Sequence, residues 1–319
     1  MKKFLRYFLM LVLLLVVLAA LGAVFISVRG IPSYKAEKIN LHVDPTPARI
    51  VQGEKLASML CKSCHFNDQT GKFTGRELNE VTQFGTIYSR NITRDKAHGI
   101  GQWTDGELAY LFRTGIRPDG TYLPPYMPKL VHLSDEDLYS IIAFLRSDHP
   151  WVAADTTRQP GTKPSFLTKF LTNAKIMKPF PYPKAPIPQP DTNNMVAWGK
   201  YIALGQLECY SCHSRDFAKN DYFTPENSEG FFGGGNEMIG MDGKKFASLN
   251  ITLDEESGIG KWSEDDFVKA VRFAQVPNGQ PPLRLPMQPY MNLTEKEVRA
   301  IYAYLKTVPK QQHKVERRF

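Results

Sequence analysis

Two five-residue stretches hold all four cysteines of the 319-residue chain, CKSCH at 61–65 and CYSCH at 209–213. Two thiols three positions apart lie on one face of a helical turn, where each can form a thioether with a haem vinyl group. A histidine at the next position then sits under the iron. Cys61, Cys64, Cys209 and Cys212 are therefore read as covalent attachment points, and His65 and His213 as proximal iron ligands, of two haem c groups. A redox dithiol would need a βαβ setting, and the flanks here are helical without strand alternation. A four-cysteine zinc site would join pairs far apart in sequence and leave both histidines unexplained.

The distal iron position separates a carrier from a catalyst. A proline-rich loop precedes the last helix of each half, TYLPPYMPKLVHLSDED and PPLRLPMQPYMNLTEKE. Aligned on the helix caps Ser134 and Thr294, Met127 and Met287 coincide, each seven residues before its cap. A soft thioether suits haem iron and raises its potential. Met291, in a second PYM four residues on, falls on Val131 at that offset, so Met287 is the expected ligand. His42, His98, His132, His149 and His313 occupy no equivalent places in the two halves, which argues against bis-histidine ligation.

These ligands must be positioned by elements written twice. Residues 90–120 align without a gap with 249–279, matching Asn91 to Asn250, Trp103 to Trp262 and Gly120 to Gly279. Thr104 with Glu107, and Ser263 with Asp266, read as capping boxes opening a helix that in the first copy stops at Gly115. Leu138, Ile141, Ile142 and Leu145 match Val298, Ile301, Tyr302 and Leu305 in the spacing of a buried helical face. A further helix is expected to enter each cysteine motif from about Ala48 and about Met195. The fold class expected is all-α. The second copy has 11 extra residues between its motif and Asn-Ile-Thr. They are assigned to the loop DYFTPENSEGFFGGGNEMIGMDG (221–243), which is expected to be solvated.

The rest of the chain divides around these copies. No charge occurs from Tyr7 to Val28, a run long enough at helical rise to cross a bilayer core. Lys2, Lys3 and Arg6 precede it, so a single-pass anchor with its N-terminus in the cytoplasm and the haem units in the periplasm is expected. A cleaved signal peptide would have a shorter apolar region and a better small-residue site than Leu21 to Ala23. The boundaries expected are 1–30 for the anchor, 31–149 and 191–319 for the haem domains, and 150–190 for a linker with nine prolines. The net charge of +8 resides in the anchor and linker, since 31–149 balances to zero and 191–319 to −1. Neither domain carries a nucleic-acid footprint. In the linker, Phe166, Leu167, Phe170, Leu171 and Ile176 with Lys163, Lys169, Lys175 and Lys178 form a short basic amphipathic helix, facing either the membrane or the haem domains.

The approach from Gly53 to Leu56, the Cys-x-x-Cys-His motif, the Asn-Ile-Thr…Gly-Ile-Gly segment, the methionine loop and the helix LSDEDLYSIIAFLRS resemble the tandem class I cytochrome c domains of membrane-anchored di-haem cytochromes c. The resemblance covers about 48–148 and 195–308. It implies a transmembrane helix followed by two such domains, with Trp103 and Trp262 near the haem propionates. Family members that serve periplasmic alcohol or aldehyde dehydrogenases often carry three haems; this chain has two motifs. The function expected is electron transfer rather than enzymatic turnover. The carrier would work in a respiratory chain between a dehydrogenase or quinol-oxidising donor and a cytochrome or terminal oxidase. The alternatives are a di-haem peroxidase, which needs an open iron position, and a fixed subunit of a larger dehydrogenase or oxidase complex.

Overall fold

The computed structural model describes residues 2–240 and 244–316. The chain is mostly helical. α1 (Lys2–Arg29) has no buried residue, and among the described residues it is the one helix long and apolar enough to cross a membrane. Each copy then builds the same set. α2 (Pro47–Leu60) and α3 (Lys62–His65) carry the first cysteine motif, and α4 (Asp105–Thr114) and α5 (Asp135–Arg146) complete the unit. After α6 (Phe166–Asn173), the second unit repeats the pattern with α7 (Met195–Tyr201), α8 (Cys209–His213), α9 (Glu264–Phe273) and α10 (Glu295–Leu305).

Local chemistry accounts for the helix ends. Thr104 and Ser263 form reciprocal capping boxes with Glu107 and Asp266, satisfying backbone donors at both α4 and α9 N-termini. Gly115 ends α4 in the left-handed region; Ala274 takes the same conformation after α9. Ser134 and Thr294 cap α5 and α10, and the four matched apolar residues of each helix are at most 5% exposed. α5 packs on α2, and α10 on α7. The contact is close enough to demand glycine: a Cβ on Gly53 would lie 1.9 Å from the Ser140 carbonyl oxygen, and one on Gly199 1.7 Å from that of Ala300.

Gly199 lies ten residues before Cys209, whereas Gly53 lies eight before Cys61. A π-helical turn, Ile202–Gln206, and a left-handed Glu208 take up the two extra residues, so the second motif meets its unit in the same place.

The expectation of an all-α chain omits two short antiparallel ladders. β1 (Gly85–Thr86) pairs with β2 (Lys163–Pro164), and β3 (Glu237–Ile239) with β4 (Lys245–Ala247). Strands of two or three residues leave no legible alternation. β2 also shows that the chain beyond 150 does more than connect. Trp151 packs into the first core, Val152 is fully buried, and Asn91 donates through Nδ2 to the carbonyls of Asp155 (2.7 Å) and Thr157 (2.9 Å). Asn250 does the same to Gln311 (2.7 Å) behind α10. The repeated Asn-Ile-Thr thus pins the strand of chain returning after each last helix.

The extra residues of the second copy begin earlier in the chain than the loop assigned from sequence, and that loop is solvated only in part. Gly75 donates to the His65 carbonyl and Gly234 to that of His213, so the inserted length falls within 214–233. Its Phe231 and Phe232 are buried, while Tyr222 and Phe223 pack on Phe180. Aromatic burial there outweighs the glycine-rich composition downstream. The end of the loop assigned from sequence, Met241 to Gly243, lies outside the described residues.

The two units touch through reciprocal contacts. From α2, Lys55 pairs with Glu297 of α10 (2.5 Å), and the Met59 carbonyl accepts from Gln288 (2.9 Å). From α7 and its π-turn, Tyr201 and Gln206 donate to Asp137 of α5 (2.5 and 2.7 Å). His132 meets the Tyr222 carbonyl at 2.8 Å.

Candidate haem sites

In the first unit, Cys61, Cys64, His65, Met127 and Trp103 line one cavity of about 800 Å³, a size that suits a cofactor. α3 and its N-cap residue Cys61 supply the cysteines and histidine, and the loop before α5 supplies Met127. His65 Nδ1 lies 2.8 Å from the Arg90 carbonyl oxygen. A carbonyl can only accept, so Nδ1 carries the proton, and burial lowers the pKa of the ring. That leaves the Nε2 lone pair available to a metal. Burial pushes the Cys61 thiol up to about 12, which makes it a poor dithiol nucleophile at neutral pH.

The cavity also collects cations that the sequence reading did not single out. Arg90, Arg117 and Arg158 line it, and Arg90 is lowered by burial and by the proximity of the other two. Arg117 lies over the Trp103 ring at 5.8 Å and reaches Asp119 at 3.5 Å. A cluster of like charges around an apolar cavity fits a cofactor with an apolar ring and carboxylate arms. Arg158 comes from the segment read as linker, and only the fold brings it here. Together with the histidine geometry, these side chains fit haem.

The second unit repeats the histidine geometry. His213 Nδ1 lies 2.8 Å from the Leu249 carbonyl, and burial lowers this ring too. Burial likewise drives Cys209 up to about 12. Met287 sits in a turn closed by its own N–H to the Arg284 carbonyl (3.0 Å), as Met127 does with Pro124 (3.1 Å). Both loops are pinned to the preceding helix three residues later, Leu130 to the Phe112 carbonyl and Tyr290 to that of Val271. Met287 is half-buried, whereas Met291 is 61% exposed. The three arginines are not repeated in sequence: Leu249, Val276 and Lys314 stand where alignment of the copies puts Arg90, Arg117 and Arg158, so one cation of the three is kept.

A buried ionisable group sits beside ligands of each site, Lys129 by Met127 and Glu208 by Cys209. Lys129 Nζ donates to the Leu123 and Met127 carbonyls (2.6 and 2.9 Å), which fixes the methionine loop. Burial lowers Lys129 and raises Glu208, the residue before Cys209, and each charge partly offsets the other's shift. Lys129 was not singled out by sequence, because a lysine in a proline-rich loop has no signal of burial.

Residues 50–148 match the cytochrome c family. The chain is 30% identical over 284 residues to the fructose dehydrogenase cytochrome subunit of Gluconobacter japonicus, covering 83% of this chain and 55% of that protein. It is 30% identical over 259 residues to the cytochrome c subunit of alcohol dehydrogenase (quinone) from Gluconacetobacter polyoxogenes, covering 78% and 53%. A diheme cytochrome c-type protein of Cereibacter sphaeroides is 28% identical over 261 residues, covering 78% of this chain and 82% of that protein. The chain thus spans about half the length of the two dehydrogenase subunits. Residues 50–148 thus form a cytochrome c domain, and over most of its length the chain is similar to proteins named as cytochrome subunits of dehydrogenases.

Proposed function

We propose that this cytochrome carries two haem c groups outside the cytoplasmic membrane, held by α1, and relays electrons from a dehydrogenase or quinol-oxidising donor to a cytochrome or terminal oxidase. The observation that carries the reading is the equal 2.8 Å bond from His65 and His213 Nδ1 to a backbone carbonyl, each beside a pair of cysteines. Bound haem would supply a one-electron iron couple. Cys61, Cys64, Cys209 and Cys212 would hold it covalently, and His65 and His213 through Nε2, with Met127 and Met287 through sulfur, would serve as iron ligands. The exposure of Met291 and the matching turns at Met127 and Met287 support that choice. Arg90, Arg117 and Arg158 would pair with the haem carboxylates in the first unit. The bond from Gln288 to the Met59 carbonyl keeps the second methionine loop against the first unit's cysteine helix.

The names of the dehydrogenase cytochrome subunits support a dehydrogenase as donor. Protein extracted from membranes should show two haems per chain by the pyridine haemochrome assay, both low-spin. Each should titrate with one electron, and the reduced protein should be reoxidised by a cytochrome or terminal oxidase preparation. A single haem would overturn the count. A high-spin centre that turns over peroxide would replace the relay with a peroxidase.

A further inference from the structure

α6 is fastened on two sides and bare on the third. Thr168 and Thr172 face the protein and are buried, with Thr168 Oγ1 donating to the Phe84 carbonyl (3.1 Å). Lys169 Nζ donates to the Ser27 carbonyl (3.0 Å) and Asn173 Nδ2 to that of Gly30 (2.8 Å), which ties α6 to the outer end of α1. Phe166, Leu167 and Phe170 are left 49, 56 and 43% exposed, and Ile176, just beyond the helix, 67%. Three large apolar side chains on eight residues are too many for a face meant for water, since each is stabilised by leaving it.

We infer that α6 lies in the headgroup layer of the bilayer that α1 crosses, as a second membrane contact; this rests on the reading of α1 as an anchor. The bonds to Ser27 and Gly30 place α6 where α1 leaves its apolar run, at the depth an interfacial helix occupies. The exposed Lys163, Lys175 and Lys178 suit anionic headgroups. The consequence is orientational. Gly30, Pro164 and Lys169 line the first cavity, so seating α6 fixes that cavity against the membrane surface instead of letting it pivot on one helix.

The test uses the full-length protein in vesicles of phosphatidylethanolamine and phosphatidylglycerol containing a lipid with a photoactivatable diazirine in its acyl chain. Adducts are mapped by peptide mass spectrometry. Adducts are expected on peptides of both α1 and 166–176. The variant Phe166→Ser/Leu167→Ser/Phe170→Ser should lose those on 166–176 and keep those on α1, with an unchanged haem spectrum. Labelling of α1 without 166–176 in the wild-type protein overturns the inference and leaves the anchor standing. Absence of both overturns the anchor as well. Retention on 166–176 in the triple variant shows that these side chains do not seat the helix. No variant is needed for the first comparison, so misfolding cannot hide the answer.

Discussion

The Tyr201 hydroxyl, in the second unit, donates to the Asp137 carboxylate, in the first, at 2.5 Å. Asp137 is 1% exposed and also accepts from Gln206, Gln52 and Gln189, so α2, the linker and the second unit converge on one buried acid. Tyr201→Phe removes one donor and should cost about 1–2 kcal/mol. Lys55→Met leaves the Glu297 carboxylate buried without its cation and should cost more, about 3 kcal/mol. Guanidinium unfolding followed by tryptophan fluorescence checks both; equal midpoints for wild type and variants would mean the boundary contributes nothing.

Gly53→Ala and Gly199→Ala place a methyl group against backbone oxygen that side-chain motion cannot move aside. Each should force its helix pair apart and lower stability by about 3 kcal/mol or more, seen as reduced holoprotein yield and a lower Tm.

Removing the distal sulfur should convert one centre at a time. Met127→Ala and Met287→Ala should each abolish about half of the near-infrared band of methionine-ligated ferric haem, while Met291→Ala leaves it intact. Loss of the band in Met291→Ala alone would transfer the ligand role to that residue.

The first cavity is ringed by Arg90, Arg117 and Arg158, whereas Leu249, Val276 and Lys314 stand at the aligned positions of the second. A cation near the iron disfavours the oxidised, more positive state. Arg90→Gln should therefore lower the midpoint of the first centre by about 40 mV, the equivalent of roughly 1 kcal/mol, and leave the second in place. A spectroelectrochemical titration resolves the two; an unchanged first midpoint would remove the cluster from potential setting.

Asp155 accepts from Thr157 Oγ1 and N–H and from Lys72, which holds its pKa down to about 2. A carboxyl depressed on folding adds stability that is fully present above its unfolded pKa near 4. That contribution fades as pH falls through about 2. Asp155→Asn should be less stable than wild type at neutral pH, and the gap should close between about pH 4 and 2 in denaturant titrations.

The cysteine motifs, the caps and the α5 and α10 faces were legible because each is specified within a few residues. Thr104 with Glu107 needs only three positions to announce a helix. The reach of Asn91 to Asp155, or of Arg158 into the first cavity, spans some sixty residues or more, and no local period encodes it. The π-turn at Ile202–Gln206 was hidden for another reason. Its residues have ordinary helix-compatible types, and the two extra positions appear only when Gly199 is compared with Gly53 through what each packs against.

Asp137 and Glu297 occupy matching places in the two copies, and each receives donors from the other copy's cysteine helix. The boundary therefore has the form of an isologous interface, that of a symmetric homodimer fused head to tail. Fusion makes the association independent of protein concentration. It also frees the halves from identity. An ammonium serves Glu297, a phenol and an amide serve Asp137, and Leu249, Val276 and Lys314 stand where the first copy has Arg90, Arg117 and Arg158, so the two sides of one symmetric contact are chemically distinct.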